Sequence, residues 1–121
     1  MLSGDTDPSE TLRGAGASAP YAPAVTFSRR DLDRILGLYG RMVAAGEWRD
    51  YAIDFLKDRA VFSIFRRSAE VPIYRVEKNP RLARRQGAYS VISATGLIMR
   101  RGHELERVLA VLDNTKLAIV N

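Results

Sequence analysis

The sequence contains no cysteine and one histidine, His103. A disulfide framework, a thiolate nucleophile and a Cys-ligated zinc are thereby excluded. Any His-dependent metal site or Ser-His-Asp triad would hang on that one imidazole. Long apolar runs are missing as well: the longest, residues 108–112, is five residues, against the roughly 20 that span a bilayer. Neither G-x-G-x-x-G nor a Walker A loop occurs, so the usual glycine cradles for nucleotide phosphates are absent. The string Gly87-Ala88-Tyr89-Ser90-Val91 lacks the second glycine of a nucleophile elbow. No internal repeat is visible, and nothing in the sequence calls for a cofactor or a metal.

What remains is 121 residues, 46% of them hydrophobic and 27% charged, the composition of one ordinary globular domain. Residues 1–24 differ from the rest. They are rich in Ser, Gly, Pro and Ala, and their only large apolar side chains are Met1, Leu2, Leu12 and Tyr21. Too little apolar surface is present to offset the entropy of ordering them, so a disordered tail is expected. Asp5, Asp7 and Glu10, with no apolar segment beside them, argue against a signal or transit peptide. A soluble, cytoplasmic, membrane-free protein is the expectation.

Charge is unevenly placed. The chain has 19 Lys and Arg against 14 Asp and Glu, a net of +5. The tail holds Arg13 and three acids, which leaves 18 bases and 11 acids, a net of +7, in residues 25–121. Residues 57–101 carry 11 bases and three acids, a net of +8. Sixteen of the 19 bases are arginine, a bias that a GC-rich genome would also produce.

The apolar pattern of residues 25–121 describes a small single α+β domain. Ser28 reads as an N-cap, Asp31 as its capping-box partner and Phe27 as the staple residue. Leu32, Ile35, Leu36, Tyr39, Met42 and Val43 then recur along one face of an amphipathic helix that Gly46 ends. Gly37 and Gly40 inside it imply close approach of another backbone, or a kink. From Trp48 the period changes to two. Strands are expected over residues 51–56 and 60–67, joined by a turn at 57–59. The second carries Val61, Phe62, Ile64 and Phe65 on both faces, as a central strand or one covered by a partner would. A third strand over 71–78 contains Pro72, which suggests a sheet edge. Asn79-Pro80 opens a short middle helix that Gly87 stops. A hairpin of 89–93 and 97–101 turns at Gly96, and a C-terminal helix spans 104–112. The sum is a largely antiparallel sheet of about five strands with three helices. Tyr51, Phe55, Phe62, Phe65, Tyr74 and Tyr89 are expected in the core.

Candidate chemistry is sparse. His103 stands at a helix start without the two-His spacing of a zincin, and reads as a surface residue. Asp54 and Asp58 flank a turn beside Lys57 and Arg59, and read as solvated charges. Gly37-Leu38-Tyr39-Gly40 matches the G-x-x-G of a KH loop but lies inside a helix, where helix packing explains it better. Glu47, Trp48, Arg49 and Asp50 form a catalytic group only if they meet His103 in a concave pocket. The arginines are more informative. Arg66, Arg67, Arg75, Arg81, Arg84, Arg85, Arg100 and Arg101 occupy strand ends and the short middle helix. If these lie at one edge of the sheet, eight guanidinium forks converge on phosphate or carboxylate, with tyrosines near enough to stack bases.

Three strings, Tyr39-Gly40-Arg41-Met42-Val43-Ala44-Ala45-Gly46-Glu47-Trp48-Arg49-Asp50-Tyr51, Ala83-Arg84-Arg85-Gln86-Gly87-Ala88-Tyr89-Ser90-Val91 and Arg101-Gly102-His103-Glu104-Leu105, carry a resemblance. Over about residues 25–112 the chain resembles an uncharacterised family of small alphaproteobacterial proteins, a domain of unknown function. That resemblance implies a bacterial cytoplasmic setting and supplies no reaction, cofactor, partner or site residue.

The expectation is a non-catalytic binding protein whose arginine-rich face contacts RNA or DNA. The rival is a protein-interaction or homodimerising module that meets an acidic protein surface or a second copy, motivated by the two apolar faces of the second strand.

Overall fold

The computed structural model describes residues 24–67 and 71–113. The expected tail up to residue 23, the turn at 68–70 and the chain after residue 113 lie outside the described residues. Helix α1 spans Arg29–Ala44. Five strands follow, β1 (Asp50–Phe55), β2 (Ala60–Phe65), β3 (Tyr74–Lys78), β4 (Tyr89–Ser93) and β5 (Ile98–Gly102), and then helix α2 (Leu105–Leu109), continued by a 3-10 turn at Ala110–Leu112. The strands form one antiparallel sheet in the order β1-β2-β3-β4-β5, each paired with its neighbour in sequence. This is the expected α+β domain.

α1 begins as its sequence dictates. Ser28 Oγ accepts from the Asp31 N–H at 3.0 Å, and Asp31 Oδ2 accepts from the Ser28 N–H at 3.0 Å, the reciprocal bonds of a capping box. Gly46, at φ 78°, ends the helix, with its N–H on Val43 O and the Glu47 N–H on Met42 O. Ile35, Leu38 and Met42 are buried against the sheet.

The sheet alternates cleanly. Ala60, Phe62 and Ile64 of β2, Val76 of β3 and Val91 of β4 join the core beneath the helices, with Phe27, Trp48, Leu105, Val108, Leu109 and Leu112. The opposite face presents Val61, Ser63, Arg75, Glu77, Ser90 and Ile92, and no described helix covers it. Val61 and Ile92 are nonetheless buried, because the strand register sets Val61 between Asp54 and Glu77 and Ile92 between Arg75 and Ile98. Long polar side chains cover apolar neighbours with their stems. So β2 is internal and buried on both faces, as its composition predicts.

Several expectations require correction. β3 is the middle strand, not an edge: it starts two residues after Pro72, so the proline disrupts no ladder. β2 ends at Phe65, before Arg66 and Arg67. The middle helix is one 3-10 turn, Pro80–Leu82, capped by the Asn79 side chain on the Arg81 N–H. Gly37 and Gly40 mark neither close packing nor a break. A Cβ on Gly40 would meet nothing within 4 Å, one on Gly37 only the tip of Arg41, and α1 runs through both. Tyr51 and Phe55 are 40% and 46% exposed, because β1 is an edge strand.

Candidate nucleic-acid interface

The polar anchor of the fold sits at the N-terminus of α1. Asp31, only 7% exposed, accepts from Lys78 Nζ at 3.0 Å through Oδ2 and from the Tyr89 hydroxyl at 2.9 Å through Oδ1. Lys78 also donates to Thr26 O at 3.1 Å. Burial alone would raise the Asp31 carboxyl pKa. The Ser28 N–H, Lys78 and Tyr89 outweigh it and hold the group below its ordinary 3.8. Tyr89 is pushed up to about 12, by burial first and then by its bond to the Asp31 carboxylate. Capping chemistry marked Asp31 in the sequence. Its long-range partners Lys78 and Tyr89 carry no local signal.

This anchor fixes the ends of β3 and β4, between which three of the candidate arginines lie. The connection folds back so that Gly87, at φ 99°, presses on the end of β5. A Cβ there would collide with the backbone of Gly102 and His103, so only glycine fits. Arg101 Nη1 donates to Gln86 Oε1, a second tie between the same segments. The connection that carries Arg81, Arg84 and Arg85 is therefore held against the end of β5 at Arg101, while Arg100, paired with Val91, projects from the other face of that strand. No Asp or Glu occurs anywhere in residues 79–103, and none of these five arginines forms an ion pair among the described residues. Arg81, Arg84, Arg85 and Arg100 are exposed. Arg101 is half-buried, with its Nε enclosed and without a hydrogen-bond partner.

The other three candidates stand apart. Arg75 is on the open sheet face, its Nε 3.5 Å from Glu77, which Arg59 also approaches at 3.6 Å. Arg66 and Arg67 follow the far end of β2, where they line a cleft with Val43, Gly46, Trp48 and Arg49. A strand of five residues, about 17 Å, separates that end from the arginine-rich corner. The eight thus do not form one patch. Nor do tyrosines serve the cluster: Tyr74 and Tyr89 lie on the helix-covered face, and the Tyr89 hydroxyl is committed to Asp31.

The remaining candidates are placed as follows. His103 is exposed at the bend before α2, while Trp48 is buried in the core and Asp50 begins β1 at the opposite corner of the sheet. Asp58 pairs with Arg59 at 3.2 Å, and Asp54 is exposed. Among the described residues no helix is long and apolar enough to cross a membrane.

The comparison with curated proteins and the comparison with solved structures return no match. One family model does match, over residues 25–109, from just before α1 to the end of α2, and it includes the arginine cluster and its glycine tie. The chain belongs to the family described as protein of unknown function DUF2794.

Proposed function

We propose that this protein is a non-catalytic module that binds the sugar–phosphate backbone of RNA or DNA, acting in the cytoplasm. The observation that carries the reading is the arginine-rich corner, without acidic partners among the described residues, where the β3–β4 connection is tied onto β5. Guanidinium groups without acidic partners keep their full donor capacity for phosphate oxygens. Because no exposed aromatic ring among the described residues flanks this corner, the contact is to phosphates and carries little base preference. The buried or central carboxylates are engaged structurally, Asp31 in the helix cap and Glu77 between two arginines, which favours a binding role over a catalytic one.

Fluorescence anisotropy with single-stranded RNA and DNA oligonucleotides tests this. With about four phosphate contacts, a fourfold rise in salt is expected to weaken binding about fiftyfold. Arg84→Ala with Arg85→Ala should lower affinity at least about tenfold and leave the circular dichroism spectrum unchanged. Arg66→Ala with Arg67→Ala, at the far end of the sheet, should change it far less. No binding of either oligonucleotide at low ionic strength defeats the proposal.

A further inference from the structure

The two edges of the sheet are treated differently. β5 carries Arg100 and Arg101 and a register shift opposite Val91 and Ile92, the devices that discourage strand addition. β1 has neither bulge nor proline along its six residues, and its two charges, Asp50 and Asp54, both lie on the open face of the sheet. Beside it lie five of the nine exposed large hydrophobic residues among those described: Leu36 and Val43 of α1, Tyr51 and Phe55 of β1, and Leu56 after it. The ring of Tyr39 meets that of Tyr51 edge-on at 4.9 Å, which fixes α1 above this strand. An open edge and an apolar shelf thus adjoin.

The backbone parity of β1 is set by its hairpin with β2. Leu56 N–H bonds Arg59 O at 2.8 Å, so even-numbered residues of β1 direct their amides to β2. The N–H and C=O groups of Tyr51, Ile53 and Phe55 point outward. In keeping with this, the Tyr51 N–H is taken by its neighbour's side chain, Asp50 Oδ1 at 2.8 Å, and not by a strand. Among the described residues, the chain before α1 bonds at the end of this strand, where Val25 N–H donates to Leu56 O at 2.8 Å.

We propose that β1 pairs antiparallel with β1 of a second copy of this chain, making one continuous ten-stranded sheet across a two-fold axis at Ile53. Charge selects the register. Outward-facing residues must pair with outward-facing residues, so registers differ in steps of two. In the one centred on Ile53, Tyr51 faces Phe55 of the second copy, and Asp54 faces Ala52. One step shorter, Asp50 faces Asp54 of the second copy. One step longer, Asp54 faces Asp54. Like charges directly opposite destabilise a pair, so both neighbouring registers are rejected. In the selected one, Tyr51, Ile53 and Phe55 of both copies form a single apolar strip against the exposed Leu36 and Val43. The pairing is independent of the arginine cluster, which lies at the β5 edge.

Sedimentation velocity on the full chain tests the proposal, with a dimer expected at about 50 μM in both low and high salt, since the interface is apolar and backbone-mediated. Ala52 is exposed and outside the core, so substitutions there keep the fold. Ala52→Asp sets two like-charge pairs against Asp54 of the other copy and should raise the dissociation constant about tenfold or more. Ala52→Asp combined with Asp54→Lys turns both of these like-charge pairs into opposite-charge pairs, and should recover the dimer. A monomer at about 50 μM overturns the proposal. So does a dimer indifferent to Ala52→Asp, or one that the double substitution fails to rescue.

Discussion

Asp31 holds one carboxylate in three jobs: it caps α1, binds Lys78 of β3 and accepts from Tyr89 of β4. Its folded pKa is depressed, so its contribution is complete above the unfolded value near 3.8 and is lost as pH falls through the folded one. Tyr89 has the opposite sign. Its contribution is complete below the ordinary 10.0 and is lost as pH rises through about 12. Stability from this contact is therefore flat between those limits. Asp31→Asn keeps the shape but leaves Lys78 without its counter-charge, and is expected to cost about 1–3 kcal/mol near neutral pH. Urea titrations at several pH values should show wild type and variant converging as pH drops below 3.8.

At the scale of elements, α1 carries two glycines that the packing does not use. Gly40→Ala adds a methyl group into open space and lowers the entropy cost of the helix. It should stabilise the domain by about 1 kcal/mol, a rise in Tm on the order of 5 °C. Thermal melting by circular dichroism reads this directly. The element order was legible in the sequence because caps, periods and turns act locally. Ser28, Gly46, Asn79 and Gly96 each mark their boundary through bonds or torsions within a few residues. Misreadings arose where the deciding fact lies elsewhere in the molecule. Pro72 suggests an edge only if the strand includes it, and the strand starts later. Tyr51 and Phe55 look like core residues by type, and only the strand order makes them an exposed edge. The glycines suggest a close neighbour that no local rule could have denied. The cluster of arginines shows the same limit. Its charge is visible in the string, but its division among separate corners and faces of the sheet depends on Gly87 and on the direction of each strand.

At the scale of the whole molecule, the meander has a kinetic meaning. Every strand pairs with the next in sequence, so sheet formation closes short loops, while the Asp31 bonds to Lys78 and Tyr89 join residues 47 and 58 positions apart. Loop closure over such spans is costly until the strands it bridges exist. The hairpins should thus nucleate folding, and the seating of α1 should follow the transition state. In chevron experiments Asp31→Asn is expected to speed unfolding by most of its stability loss and to leave the refolding rate almost unchanged. A comparable slowing of refolding would put α1 inside the nucleus. A contact that forms after the transition state slows unfolding without speeding folding, so the carboxylate at the start of the first helix lengthens the life of the folded molecule more than it hastens its arrival.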